Sequence, residues 1–214
     1  MSHPGRFTLL LGGALTPAPR LLAQVAGSRC IAADGGMAHA RSLGLEAELW
    51  VGDFDSTPAQ LEADYRHIPR QTHPADKAMT DGEIAIEAAL SRGARDLVLA
   101  GGLGGQLDHA LGHLAQLLAL ARRGVPAFAT SGAEEAYPLI ADTTLSLPLP
   151  PGSRLSIIAF SDLEGLTIAG VRWPLTNAQV SHGSTRTLSN VVTGGALISL
   201  IAGSAILVAY PTGG

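Results

Sequence analysis

Lysine is almost absent from this sequence: 13 of its 14 cationic residues are arginine, and the single ammonium, Lys77, stands among acidic and hydroxyl residues. A compact point charge placed there suits a local role that a planar guanidinium does not fill. Cysteine is equally scarce. The lone Cys30 excludes an internal disulfide, and its apolar surroundings, Arg29-Cys30-Ile31-Ala32-Ala33, mark it as a buried neutral thiol of a reducing compartment rather than a nucleophile. There is no cationic excess. The formal net charge of -4 and the pI near 5.9 offer no general attraction for nucleic acid or for an anionic membrane. No apolar run spans a bilayer comfortably; the longest, Ala196 to Tyr210, is interrupted at Gly203-Ser204 and reads as two strands and a turn. The apolar start, Phe7 to Leu11, reads as a buried first strand and not a signal peptide, because Gly12-Gly13 end it early and no small-x-small cleavage site follows. A cytoplasmic protein is expected.

What the chain does have is apolar content. With 46% hydrophobic and 15% charged residues over 214 positions, it can bury a sizeable core in one or two domains. Up to about Ser131, short apolar runs (Phe7 to Leu11, Cys30 to Ala33, Leu49 to Val51, Leu97 to Ala100) alternate with helical patterns at 19–26, 37–43, 58–65, 81–92 and 107–123. Runs with so little polar alternation are buried on both faces, as in a parallel sheet covered by helices. Beyond Gly132 the helical period stops. Short β-rich runs follow at 144–147, 154–160, 166–169, 188–193, 196–201 and 205–210, punctuated by Gly, Pro and Asn as in a small antiparallel sandwich or barrel. The expected architecture is an α/β domain with a Rossmann-like parallel sheet over 1–132, followed by an antiparallel β-sandwich over 133–214.

The chemistry-bearing residues cluster where strands end. Gly52-Asp53-Phe54-Asp55-Ser56 follows the run Leu49-Trp50-Val51. If the chain stays extended there, Asp53 and Asp55 share one side of the strand, roughly 6 to 7 Å apart, and repel unless a cation lies between them. Such a pair at the carboxyl end of a parallel strand is a natural seat for Mg²⁺ carrying substrate phosphates; the plainer alternative is a polar turn capping the next helix. Thr80-Asp81-Gly82-Glu83 opens a helix as a capping box, which accounts for Thr80 and Glu83 but not for Asp81 or the nearby Lys77. Gly101-Gly102-Leu103-Gly104-Gly105 leads from a strand into a helix beginning Leu107-Asp108-His109, so backbone can approach a phosphate closely. It is neither a Walker A loop nor a dinucleotide fingerprint. Asp34-Gly35-Gly36 repeats that logic after an earlier strand. His109 and His113 have helical i, i+4 spacing but lack the glutamate of a zinc motif, and read as ordinary helix histidines.

In order, Asp34-Gly35-Gly36, Gly52-Asp53-Phe54-Asp55-Ser56, Lys77-x-x-Thr80-Asp81-x-Glu83 and Gly104-Gly105-x-x-Asp108-His109 resemble the thiamin pyrophosphokinase (thiamin diphosphokinase) family. Gly165, Gly170, Trp173-Pro174-Leu175 and Ser189-Asn190 extend the resemblance through the second half. It implies a homodimer with active sites at the subunit interface, in which ATP gives its terminal pyrophosphoryl group to thiamin and leaves as AMP. The resemblance places Mg²⁺ on Asp53, Asp55 and Asp81, with Asp34 and Asp108 near the reacting groups. It turns Lys77, Thr80, His109, Gly35, Gly36 and the loop of Gly101, Gly102, Gly104 and Gly105 toward the nucleotide. It turns Trp173, Ser189 and Asn190 toward thiamin, where an indole can stack on a flat cationic heterocycle. Without the resemblance, Trp173 reads as core packing. Two places depart from the family pattern: Ala78 replaces an acidic residue and Gln106 an arginine. Three other readings stay open. One is pyrophosphoryl transfer to another hydroxymethyl heterocycle such as a pterin. Another is a binding-only relative, and the last is an aspartate-nucleophile phosphatase built on Asp53-x-Asp55-x-Thr57.

Overall fold

The computed structural model describes residues 5–55, 57–73 and 79–212. They divide into two compact units, one running to His113 and taking in Val125–Gly132, the other made of Leu114–Gly124 and the residues from Ala133 onward. Ser56 and the segment 74–78, which carries Lys77 and Ala78, lie outside the described residues.

The first unit holds six parallel strands: β1 (Arg6–Leu10), β2 (Arg29–Ala33), β3 (Leu49–Gly52), β4 (Arg70–Thr72), β5 (Asp96–Ala100) and β6 (Ala127–Thr130). Their order across the sheet is β6-β5-β1-β2-β3-β4. β1, β2, β3, β5 and β6 are buried almost throughout, which explains their unbroken apolar sequence. Side chains such as Phe7, Leu9, Ile31 and Leu97 are fully withdrawn from water, each contributing ~1.5–3 kcal/mol of hydrophobic stabilisation. The unit's helices are α1 (Pro19–Val25), α2 (Ala40–Leu43), α3 (Ala59–Asp64) and α4 (Asp81–Ser91), with a 3-10 turn over Asp34–His39, and it takes in the start of α5 (Leu107–Arg122), which from Leu114 on belongs to the second unit. Pro19 starts α1, where its missing N–H costs nothing, and Thr80 caps α4 by accepting the Glu83 N–H at 3.3 Å, as the capping box predicts. β1 to β4 are laid down in order toward one edge, whereas β5 and β6 are added on the other side of β1, so the strand order reverses between β1 and β5. At such a switch point the loops leaving the two strands part and open a crevice.

Cys30 faces this core at 1% exposure, and burial, with the nearby Glu48 charge, pushes its thiol up to about 12. The native protein is expected to resist alkylation by iodoacetamide at pH 8 and to react stoichiometrically only once unfolded. Rapid labelling of the folded chain would contradict this burial.

The second unit is antiparallel. β7 (Glu135–Ile140), β8 (Thr143–Leu147), β9 (Arg154–Ala159), β10 (Leu163–Val171), β11 (Leu175–Val180), β12 (Asn190–Leu200) and β13 (Ser204–Tyr210) pair as β7-β13-β9-β12-β10-β11, with β8 also on β12. β12 changes partners along its length, meeting β9 at Asn190–Val191, then β10 from Val192 and β8 from Ala196. Alternate residues of all seven strands, among them Leu139, Leu147, Ile157, Leu166, Val180, Ile198 and Leu207, form one apolar core. Two expected strands, 188–193 and 196–201, are thus a single β12. Gly194 and Gly195 between them have no positive φ and run through extended instead of turning. The anticipated turn at Gly203 is present, with φ +106. Among the described residues no helix is long and apolar enough to cross a membrane.

Candidate active site

Because the six strands are parallel, the loops leaving β1, β2, β3 and β5 emerge on one edge of the sheet. There they line a cleft of about 660 Å³. Leu11, Gly12 and Gly13 come from β1, Ala33, Asp34 and Gly35 from β2, Asp53 from β3, and Gly104, Gly105 and Gln106 from β5. Met79, Thr80, Asp81 and Gly82 at the start of α4, with His109 and His113 of α5, close the wall. Backbone approach decides the shape on the β1–β5 side. A Cβ on Gly13 would overlap the carbonyl oxygens of Gly101 and Gly104, so the two glycine turns lie against each other as no larger residue allows.

The acidic residues are set by strained turns. Asp34 has φ +42, its carbonyl accepts the Trp50 Nε1–H at 2.8 Å, and its Oδ1 accepts the Thr57 hydroxyl at 3.3 Å. Trp50, fully buried as its place in a strand implies, therefore anchors the Asp34 backbone from below. Phe54 sits at φ +64 between the two aspartates, held by edge-on packing against Trp50 at 5.1 Å and by the Arg70 guanidinium 5.0 Å over its ring. The extended path expected for 53–55 is therefore absent: the chain turns at Phe54, and Asp53 Oδ1 accepts the Asp55 N–H at 3.1 Å. Asp53 faces the cleft, whereas Asp55 is exposed in the turn and does not line it.

Of the other anticipated residues, Asp34, Gly35, Thr80, Asp81, Gly104, Gly105 and His109 line the cleft. Gly36, Gly101 and Gly102 are buried behind it. Asp108 is exposed in the first turn of α5, its Oδ1 accepting the His109 N–H at 2.9 Å. Trp173, Ser189 and Asn190 lie in the second unit, and Trp173 is 55% exposed, so it is no core residue.

Gly12, Gly13 and His113, none of them expected at the site, also line the cleft, although His113 reads from its spacing only as an ordinary helix histidine. The glycines read only as the end of an apolar run. The signal for His113 was its place one turn beyond His109, and the two rings meet edge to face at 6.4 Å. The His113 Nδ1 lies 2.9 Å from Gly102 O, an acceptor, so Nδ1 carries the proton and Nε2 faces Gly82. Burial lowers the His113 pKa, against an upward pull from that bond. With the folded value below the unfolded one, this group's stability contribution is complete above about pH 6.5 and is lost as pH falls through the lowered value. His113→Gln keeps an N–H donor but cannot titrate, so its melting temperature is expected to fall less than that of wild type between pH 7 and 5. Equal slopes in a pH series of melts would contradict this.

The described lining carries three carboxylates and neither arginine nor lysine. Its oxygen donors, namely Asp34, Asp53, Asp81, the Thr80 hydroxyl and the Gln106 amide, are of the kind Mg²⁺ takes. Among the described residues no three acidic, His or Cys side chains already form a closed metal cage. That is compatible with an ion that keeps its waters and completes its shell from phosphate oxygens. The start of the 11-residue α4 adds a positive dipole end to the same wall.

Residues 23–129 match the family described as thiamin pyrophosphokinase, catalytic domain, and residues 142–203 that described as thiamin pyrophosphokinase, vitamin B1 binding domain. A thiamine pyrophosphokinase of Bacillus subtilis (strain 168) is 28% identical over 155 residues, covering 65% of this chain and 66% of that protein. The crystal structure of the Bacillus subtilis enzyme superposes with a TM-score of 0.84 over 97% of this chain and 99% of that one, at 20% identity. That of the thiamin pyrophosphokinase from Geobacillus thermodenitrificans does so with a TM-score of 0.80 over 97% and 98%, at 26% identity. A parallel sheet with an acidic, glycine-rich switch-point cleft, an antiparallel β region after it and family matches over both halves leave one assignment: the chain belongs to the thiamin pyrophosphokinase family.

Proposed function

We propose that the protein transfers pyrophosphate from ATP to thiamin in a Mg²⁺-dependent reaction, giving thiamin diphosphate and AMP. In this reading residues 1–132 bind nucleotide and metal, residues 133–214 bind thiamin, and the protein works in the cytoplasm as a homodimer with active sites at the subunit interface. The observation that carries it is the cleft, where three aspartates, two apposed glycine turns and the start of α4 meet with no described lysine or arginine. Such a surface repels a bare triphosphate and accepts one whose charge is offset by a divalent ion.

Asp53 and Asp81 hold Mg²⁺ in this assignment, with Asp55 reached from the adjoining turn. The bound ion neutralises phosphate charge and aligns the triphosphate. The chain's own groups do the positioning. The Gly101–Gly105 loop, Gly35 and Thr80 seat the phosphates, with Gly36 behind them and Lys77 and His109 beside the nucleotide. Asp34, whose carbonyl and carboxylate are held by Trp50 and Thr57, is assigned to take the proton of the attacking hydroxyl, and Asp108 is assigned to the reacting groups with it. The thiamin hydroxyl oxygen then forms its bond to the β-phosphorus, the bond from that phosphorus to the α,β-bridging oxygen breaks, and AMP departs. Trp173, Ser189 and Asn190 form the thiamin side. Incubation with Mg-ATP and thiamin is expected to release AMP and thiamin diphosphate in equal amounts. ATP loss independent of thiamin, or product without AMP, would overturn the reading.

A further inference from the structure

The thiamin side of the proposed reaction rests on three residues, and their geometry divides the labour unequally. Trp173 stands at the bend between β10 and β11, with its indole 55% exposed and the Arg172 guanidinium 5.0 Å over the ring. A large apolar ring left in water on a bend needs something to fix it there. Pro174 restricts the backbone from one side. On the other side the β10–β12 ladder runs out: its last paired residues are Val171 and Val192, followed by one bond from the Arg172 N–H to Val191 O at 2.8 Å.

Beyond that point the Asn190 side chain replaces the missing strand. Its Oδ1 accepts the Trp173 N–H at 3.1 Å and the Val191 N–H at 2.9 Å, while Nδ2 donates to Trp173 O at 2.7 Å. A primary amide offers two acceptor and two donor positions. Three of the four are thus spent on backbone, both backbone groups of Trp173 among them, and Asn190 is only 6% exposed. Little of this amide remains for a ligand.

We propose that Asn190 is a positioning residue, which sets thiamin affinity by clamping the backbone of Trp173 so that the indole is held out for the heterocycle, and does not itself touch the substrate. The proposal rests on the assignment of Trp173 to thiamin. It changes the role of Asn190 from a recognition group to a brace.

A double-mutant cycle on the KM for thiamin tests it, using Trp173→Ala, Asn190→Ala and the pair. Trp173→Ala is expected to raise the KM for thiamin about tenfold or more, as loss of a stacking partner for a cation does. Asn190→Ala should raise it by a comparable factor, with the KM for ATP within about twofold of wild type. In the Trp173→Ala background, Asn190→Ala should add almost nothing, because a brace without its load has no effect. Multiplying factors would overturn the proposal, because they mean that Asn190 meets thiamin independently. An unchanged KM in Trp173→Ala alone would instead remove thiamin from this surface, and the proposal with it.

The isosteric Asn190→Asp keeps the two acceptor bonds but sets a carboxylate oxygen against Trp173 O, and serves the same cycle if the alanine variant does not fold. A second readout is independent of turnover. Trp50 is fully buried, so solvent-quenchable tryptophan emission reports Trp173. Loss of the clamp should change its acrylamide quenching and lower its anisotropy without thiamin present, whereas an unaltered signal in both Asn190 variants would contradict the clamp.

Discussion

Asp53→Asn is expected to lower kcat on the order of 10³-fold while leaving the melting temperature within about 2 °C of wild type. Loss of a group that merely supports a metal ligand costs 10–100-fold, and a ligand itself should cost more. The fold should survive because the structural duty of Asp53 is to accept the Asp55 N–H through Oδ1, and an asparagine Oδ1 does the same. What the substitution removes is charge on the cleft wall. Steady-state kinetics with a thermal melt on the same sample check both halves, and a fully active Asp53→Asn would take this carboxylate out of the metal assignment.

The second large effect is expected at a residue with no side chain. Gly13→Ala would drive a methyl group into the carbonyl oxygens of Gly101 and Gly104, both backbone atoms that cannot swing aside as a flexible side chain would. Overpacking of this kind costs roughly 1–3 kcal/mol, equivalent to a fall of about 3–10 °C in melting temperature for a chain of this size. Relief requires the β1 turn and the Gly101–Gly105 loop to separate. The KM for ATP should therefore rise more than about tenfold even at temperatures where the variant is folded. The neighbouring Gly12, whose added Cβ would meet only Gly36 N at 4.0 Å, is the control and should tolerate alanine far better. Equal behaviour of the two variants would mean that the apposed turns do not shape the nucleotide site.

These two residues also show what could be read from the chain alone. Asp53 was legible because two acidic residues directly after an unbroken apolar run have few structural uses. Gly13 was not, because the carbonyls it approaches come from residues about ninety positions later, and nothing in a dipeptide Gly12-Gly13 reveals that partner. The same distinction runs through the fold. The central strands β1, β2, β3 and β5 announce themselves by apolar runs buried on both faces. The edge strand β4, Arg70-Gln71-Thr72, is mostly exposed and polar, and only its register with Trp50 to Gly52 makes it a strand. β7 was obscured by Pro138, which sits opposite Ile206 in the ladder, and β11 by its polar Leu175-Thr176-Asn177-Ala178-Gln179-Val180, with Asn177 at φ +49. Local geometry misled at Gly194-Gly195, where β12 runs on unbroken, and at 53–55, where strict alternation along a strand gave way to the αL turn at Phe54. The cause is tertiary: the Phe54 ring reaches Trp50 and Arg70 only if the backbone turns. Asn190 shows the same limit for the site, since its role depends on a residue 17 positions earlier that it meets only through strand pairing.

The fate of the γ-phosphorus tests the account most directly. With ATP labelled at that atom, Mg²⁺ and thiamin, the label is predicted to appear as the terminal phosphorus of thiamin diphosphate beside unlabelled AMP, and to vanish from that product when Asp53→Asn replaces the wild-type protein. Labelled inorganic phosphate with ADP, or labelled thiamin monophosphate, would show that the switch-point cleft performs a different transfer.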